Sequence, residues 1–213
     1  MMNDIHHHIP DPLLLAYASG NLAQPFALVV AAHVSLCDEC RARLGAHEAA
    51  GGALLDTGPS TALPDRIKDR VFDLLDEPAP APRPAFKRSG IFPAPVMEAL
   101  GGMPPKWKSL GMGVRQSLLG NTDEGSVRLI YIPPGQAVPD HGHHGLEMTL
   151  VLQGAFSDET GLYGVGDVEV ADDDLEHTPR AEDGDPCICL AATDASLRFN
   201  SWLPRMLQPI FRI

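Results

Sequence analysis

A histidine and two cysteines that stand close together constrain this chain more than any other feature. Residues 31–43 read AAHVSLCDECRAR and contain His33, Cys37 and Cys40 in an H-x3-C-x2-C spacing. The surrounding Ala, Val and Leu residues are typical of a helix, and positions i, i+4 and i+7 of a helix lie on one face. One imidazole and two thiols on one face predict three ligands of a tetrahedral zinc ion, which needs a fourth ligand.

The run His6-His7-His8 is the predicted source of the fourth ligand. It lies just before a helix that is expected to begin at Asp11-Pro12, because Asp is a favoured N-cap and Pro fits the first helical turn. His8 is closest to this helix and is the predicted ligand, with His6 as the alternative. The competing interpretation is a short helix with two buried free thiols and an unrelated histidine.

The first part of the chain is predicted to be a small helical bundle. One helix follows Asp11, and a second runs from about residue 25 to residue 47 and carries the three ligands. Gly51-Gly52 is expected to loosen the chain after this helix, and a third helix follows from about Pro64, with an apolar stripe that packs into the bundle. Three short helices form a small core, so a structural metal would contribute much of its stability.

A proline-rich stretch divides the chain. Residues 77–90 include the run EPAPAPRPAFKR, which is typical of an extended, semi-rigid linker. The sequence therefore predicts an α+β protein with a helical zinc-binding domain in residues 1–84 and an all-β domain in residues 91–213. Alternating apolar runs predict a sandwich or barrel. The candidate strands are residues 114–119, 127–132, 147–152, 167–170, 188–191 and 197–200.

A second group of histidines lies in the predicted β domain. Residues 135–154 read GQAVPDHGHHGLEMTLVLQG and match the pattern G-x5-H-x-H-x3-E-x6-G. His141 and His143 stand two apart and would project from one face of a strand, and Glu147 follows after a bend. His177, on a facing strand, is the predicted third histidine. Such ligands suit zinc, iron, manganese or nickel. The alternative interpretation of His141 and His143 is a solvated polar turn without a metal.

The net charge and the cysteine content limit the classes of binding partner and the cellular compartment that suit this chain. The net charge of −12 argues against nucleic acid as a direct partner and suits a basic protein partner. No signal peptide and no apolar run of about 18 residues is recognisable, so a reducing cytoplasm is expected. Cys187 and Cys189 stand two apart in a predicted strand and are expected to be buried core residues, with a redox role as the alternative.

These patterns together resemble one protein family. The H-x3-C-x2-C stretch with an upstream histidine resembles zinc-binding anti-sigma domains, and residues 135–154 resemble the first cupin motif. The chain is identified as a member of the ChrR family of two-domain anti-sigma factors, with the closest likeness in DHGHHGLEMTLVLQGAF, CICLAATDA and QPIFRI. The resemblance implies zinc in the N-terminal domain and a metal, also zinc, in a cupin barrel.

The resemblance also implies a function. Members of this family bind and inhibit a cytoplasmic group IV (extracytoplasmic-function, ECF) sigma factor, and the cupin is needed for the response to singlet oxygen and related oxidative stress. The expected role is therefore regulatory and not enzymatic. The alternative is a cupin metalloenzyme, a dioxygenase or isomerase, with the helical part as a docking module. A zinc-dependent DNA-binding activator is disfavoured by the acidic charge.

Overall fold

Helices occupy the first half of the chain and strands the second. The structure, a computed structural model, describes residues 4–78, 84–138, 141–142, 145–172, 176–194 and 198–199, and at 141–142, 176–177 and 198–199 it describes the backbone alone. The helices are α1 (Asp11–Ala18), α2 (Gln24–Val34), α3 (Asp38–Thr57), α4 (Asp65–Leu75) and α5 (Ala94–Ala99). The strands are β1 (Lys108–Gly111), β2 (Val114–Thr122), β3 (Gly125–Ile132), β4 (His141–Gly142), β5 (Glu147–Gln153), β6 (Phe156–Ser157), β7 (Leu162–Tyr163), β8 (Val168–Ala171), β9 (Glu176–His177), β10 (Arg180–Ala181), β11 (Cys187–Thr193) and β12 (Arg198–Phe199).

The strands form one large antiparallel sheet and two small ones. The large sheet has the order β1-β2-β3-β11-β5-β8, and the small sheets have the orders β10-β6-β7 and β12-β4-β9. Five of the six predicted strand regions are confirmed, as is the α+β class with an all-β second part, and residues 198–199 of the sixth region form β12. Alternation along β3, β5 and β11 gives the large sheet two different faces, one packed on the helices and one turned into the barrel.

The helices and the sheet share one apolar core. Phe26, Val29 and Val30 of α2 are buried together with residues of four strands. The strand residues of this core are Val127, Leu129, Met148, Leu150, Leu152, Val168, Leu190 and Ala192. Cutting the chain at the proline-rich stretch would expose this face of α2 to water. The boundaries of two domains at residues 84 and 91 therefore stay a prediction about independent folding.

The second predicted helix is in fact two helices. α2 ends at Val34, and α3 begins at Asp38 with Cys37 as its N-cap. Cys37 has extended backbone angles, and its sulfur accepts a hydrogen bond from the Cys40 N–H at 3.4 Å. The acidic first turn of α3 favours a helix start at this point. The prediction that the three ligands share one helical face is therefore wrong, because they surround a turn between two helices.

The glycine pair is not an interruption. α3 continues through Gly51 and Gly52 to Thr57, so the predicted helix end near residue 47 is wrong. Alanine residues stand on both sides of the pair, and their high helix propensity offsets the cost of glycine in a helix interior. Among the described helices, none is both long and apolar enough to cross a bilayer.

α4 exposes its apolar residues. The helix predicted after Pro64 is confirmed, but its predicted packing into the bundle is wrong, because no residue of α4 is buried. We call its exposed apolar side chains the α4 face: Ile67, Val71, Phe72, Leu74 and Leu75, whose exposed fractions range from 38% to 72%. Within the described residues, this face has no apolar partner that buries it.

Candidate metal centre

Three segments of the chain meet around four possible metal ligands. His8 precedes α1, His33 lies in the last turn of α2, and Cys37 and Cys40 lie at the start of α3. One ligand atom from each residue falls within 4.8 Å of the others. The structure thus brings together the four predicted ligands, with His8 in the cluster and the His6 side chain exposed. That they bind a metal stays a prediction.

The spacing of the donor atoms fits a tetrahedral ion. The Nδ1 atom of His8 lies 3.4 Å from the Cys37 sulfur and 3.6 Å from the Cys40 sulfur. Zinc bonds of about 2.3 Å to sulfur and about 2.0 Å to nitrogen place such ligand atoms about 3.5 Å apart at tetrahedral angles. The residues therefore fit a zinc-like cation. The Glu39 carboxylate lies 3.3 Å from His8 Nε2, where it can orient the ring.

The His33 side chain is buried, and a residue of the barrel fixes the orientation of its ring. Its Nδ1–H donates a hydrogen bond to the Gly166 carbonyl at 2.9 Å. The other ring nitrogen, Nε2, is buried and has no hydrogen-bond partner among the described residues. Burial lowers the pKa of His33 to about 4, so the imidazole is neutral at physiological pH. A neutral ring with one nitrogen fixed and the other unpartnered is the state that a metal requires.

The two thiols are held in an apolar setting. Cys37 and Cys40 are both buried and belong to the core that the helices share with the sheet. Burial raises the pKa of the Cys40 thiol to about 11, against the effect of a hydrogen bond from the Ile9 backbone. A cation would reverse this preference for the protonated thiol, because thiolates are the form that binds metal.

An ion pair joins α3 to the start of α1. Arg43 of α3 lies 2.7 Å from the Asp11 carboxylate.

The turn between β7 and β8 holds the N-terminal segment. Asp167 is buried, and its Oδ1 accepts hydrogen bonds from the N–H groups of His6 at 2.7 Å and His7 at 2.8 Å. Its Oδ2 accepts from the Gly164 N–H at 2.8 Å. Burial acts to raise the pKa of Asp167, but the N–H donors outweigh it and the net shift is downward.

The sequence predicts Asp167 only as the start of a strand and does not predict the contacts of Gly166 and Asp167 with the N-terminal segment. The available signal was an aspartate between a glycine-rich turn and an apolar strand, a frequent site of side-chain to backbone hydrogen bonds. Its actual partners, His6, His7 and His33, lie more than a hundred residues away and leave no local pattern.

The second predicted metal site lies partly within the described residues. His141 and His177 are directly opposite in the pairing of β4 with β9. These short strands lie just before β5 and just after β8, where Glu147 is paired with Ala171. The Glu147 side chain lines a cavity in the barrel. His143 lies outside the described residues, as do the side chains of His141 and His177, so this ligand set stays a prediction.

Cys187 and Cys189 lie side by side in the barrel core. Their sulfur atoms are 3.4 Å apart and both residues are buried, as the sequence predicted for core positions. The hydrogen bond with Cys187 and burial raise the pKa of the Cys189 thiol well above its ordinary value. Cys189 also lines the cavity that contains Glu147.

Removing a ligand of the N-terminal cluster should remove its metal. We expect Cys40→Ala and His8→Ala proteins to contain about one metal ion per chain less than the wild type, because an incomplete tetrahedral site loses most of its binding free energy. His6→Ala is the matched control, since His6 is exposed. The measurement is elemental analysis of purified full-length protein, and an unchanged metal content in the His8 variant would contradict the assignment.

Loss of the Asp167 carboxylate should loosen the same site from the barrel side. Asp167→Ala leaves the His6, His7 and Gly164 N–H groups without their acceptor, so we expect unfolding free energy to fall by about 1–3 kcal/mol. We also expect metal to pass to a chelating dye more than about threefold faster, since the segment that carries His8 is released. Asp185→Ala, at an exposed aspartate, is the control. Equal transfer rates in both variants would contradict this role.

Comparison with known proteins agrees with both parts of the chain. Residues 104–196 match the family model of the ChrR cupin-like domain. The anti-sigma-E factor ChrR of Cereibacter sphaeroides is 54% identical over 211 residues, which cover 98% of this chain and 99% of that protein. The crystal structure of Rhodobacter sphaeroides SigE in complex with the anti-sigma ChrR contains a chain that is 52% identical, with a TM-score of 0.79 over 89% of this chain and 99% of that one. This chain therefore belongs to the ChrR family of anti-sigma factors.

Proposed function

We propose that this chain binds and inhibits a group IV (ECF) sigma factor and keeps zinc in its N-terminal site. The observation that carries the proposal is the near full-length identity of 54% to an anti-sigma factor. A relative of similar identity is described in a complex with SigE. The family is regulatory, so the alternative of a dioxygenase or isomerase with a docking module has no support of its own. A cytoplasmic location belongs to the same proposal.

The α4 face is the proposed main contact with the sigma factor. Ile67, Val71 and Leu74 lie at i, i+4 and i+7 and form one apolar stripe, and all three are exposed. An isolated helix of 11 residues is marginal in water, so α4 gains stability when a partner covers this stripe. The opposite side of the helix carries Asp65, Asp69 and Asp73, which stay in water.

Zinc is the proposed metal of the N-terminal cluster, with a structural role. Two thiolates and two imidazoles close a tetrahedral shell and leave no open position for a substrate. The ion would join the segment before α1, the end of α2 and the start of α3. It would therefore fix the direction in which α3 leads towards α4.

The barrel is proposed to control release of the sigma factor under singlet oxygen or related oxidative stress. A stress signal at the predicted cupin site would reach the N-terminal site through β6, β7 and the β7–β8 turn. Gly166 binds His33, and the His7 ring lies 4.3 Å from the ring of Tyr163, which stacks on Phe156 at 4.9 Å. Phe156 lines the cavity that contains Glu147. A change of packing around Phe156 would thus bias the segment that carries His8.

A charge placed on the α4 face should break the complex. We expect Val71→Glu to reduce the amount of sigma factor that co-purifies with this chain by about tenfold or more, because a carboxylate would be buried in an apolar contact. Asp69→Ala is the matched control on the opposite side of α4. The measurement is co-expression with the candidate sigma factor, followed by co-purification and a reporter of sigma-dependent transcription.

Two results would separate the parts of this prediction. If Val71→Glu and Asp69→Ala retain the sigma factor equally, the α4 face is not the contact. If the wild-type chain itself leaves sigma-dependent transcription unchanged, the proposed function is wrong for this chain.

Loss of the cupin ligand Glu147 should spare binding and block release. Glu147 lies in the barrel, away from the α4 face, so Glu147→Ala should keep sigma-dependent transcription at the inhibited level in unstressed cells. Under illumination with a photosensitiser, we expect induction to fall by about tenfold relative to wild type, because the sensing site no longer biases the inhibiting state. Full induction in the Glu147→Ala strain would refute sensing through this metal site and would point to the N-terminal thiolates.

A further inference from the structure

An open cavity lies against the N-terminal ligand cluster. Its volume is about 450 Å³, and its wall is formed by the segment before α1, the turn between α2 and α3, Arg88 and the β7–β8 turn. His8 and Cys37 line it directly. The other two ligands, His33 and Cys40, are fully buried. The cavity therefore connects solvent with two of the four ligands of the cluster.

The charges around the cavity favour a cation. Asp4, Asp38 and Glu39 contribute three carboxylates and Arg88 contributes one guanidinium, so these four side chains together carry a charge of −2. Asp38 forms an ion pair with Arg41 of the same helix. Carboxylate oxygens suit hydrated divalent ions, whereas imidazole and thiolate suit zinc-like ions that have lost their water. Both kinds of ligand line this one cavity.

The cavity is large enough for an ion that still carries its water. A divalent cation with about six waters occupies about 180 Å³, at about 30 Å³ for each water. This is less than half of the cavity volume. Removing water from an ion is costly unless new ligands replace it. A hydrated ion in this cavity would lose its water only where His8 and Cys37 stand ready to replace it.

Glu39 lies where the cavity meets the cluster. Its carboxylate is 3.3 Å from Nε2 of His8, while the other ring nitrogen of His8 faces the Cys37 sulfur at 3.4 Å. The Glu39 side chain is 62% exposed, so water reaches the carboxylate. At the inner end, Nε2 of His33 is fully buried and has no hydrogen-bond partner among the described residues. An exposed carboxylate thus stands outside a buried, unpartnered imidazole.

We propose that this cavity is the path by which a divalent cation enters and leaves the folded protein, and that Glu39 is the first side chain to bind the entering ion. The inference rests on the N-terminal metal site of the proposed function. The ion exchanges water for His8 and Cys37, the two thiols release their protons to solvent, and His33 and Cys40 complete the shell. Glu39 positions the ion for this transfer and is not one of the four ligands.

The rate of zinc uptake tests the role of Glu39. Metal-stripped, full-length protein is mixed with zinc and a zinc-sensitive dye, and the phase that is absent from Cys40→Ala protein reports the N-terminal cluster. Glu39→Gln keeps an oxygen that accepts from His8 but removes the charge, so we expect uptake to slow at least about fivefold. Glu48→Gln, at an exposed glutamate of the same helix that does not line the cavity, is the matched control.

A purely orienting role of Glu39 gives a different result. Loss of ring orientation speeds the release of a bound ion and leaves the capture of a free ion unchanged. Equal uptake rates in Glu39→Gln and Glu48→Gln therefore overturn the inference, whatever the release rates are.

A second variant tests the path in metal-loaded protein. Leu36 lines the cavity, and Leu36→Trp narrows it without a change of charge. We expect zinc transfer to excess dye to slow at least about threefold, because the ion leaves through the same passage. Overpacking that merely destabilised the fold would speed transfer instead. Leu54→Trp, at a leucine of α3 that is 74% exposed, is the control. Release that is unchanged or faster in Leu36→Trp overturns the inference.

The same proteins separate this inference from the proposed function. Wild-type protein that holds zinc in the cluster and retains the sigma factor, with uptake unaffected by Glu39→Gln, refutes the path and leaves the proposed function standing. Protein in which Glu39→Gln slows uptake, but which retains no sigma factor, supports the path and refutes the sigma-binding proposal. Wild-type protein that takes up no zinc at the cluster refutes the proposed metal site and this inference with it.

Discussion

The hydrogen bonds of the β7–β8 turn to the N-terminal segment are the interaction on which the rest of this architecture depends. Asp167 accepts from two backbone N–H groups of that segment, and the neighbouring Gly166 carbonyl accepts from His33. Gly166 has a φ of +98°, and a Cβ there would lie 2.6 Å from the Ile5 side chain, so only glycine fits. One tight turn of the barrel thus sets the positions of two of the four N-terminal ligands.

Much of the fold could be predicted from the sequence, because its signals are local. Alternating apolar residues identified the strands, and the spacing of His33, Cys37 and Cys40 identified the cluster. The same spacing hid the break between α2 and α3, since a helix and a capped turn both bring such residues together. Two features distinguish the arrangements: the Cys37 side chain accepts a hydrogen bond from the Cys40 N–H, and the first turn of α3 is acidic.

The features that escaped prediction depend on contacts between distant parts of the chain. The amphipathic pattern of α4 indicates an apolar stripe. It does not indicate whether another part of this chain or a partner protein covers that stripe. Arg128 stands in an alternating strand like any surface residue, and its burial follows from the closing of the barrel around it. Likewise, the helical bundle was expected to have a small core of its own, whereas Val29 and Val30 of α2 are buried in a core shared with the sheet.

The distance along the chain between His6 and its acceptor has a consequence for the order of folding. The two residues are separated by 161 positions. During synthesis the N-terminal segment leaves the ribosome long before the barrel strand that anchors it, so the α1–α3 region exists for a time without this support. Contacts of such high sequence separation form late and slowly. The nascent chain therefore passes through a stage in which the predicted metal ligands are present but not yet buried, when the supply of metal in the cell would decide which ion they meet.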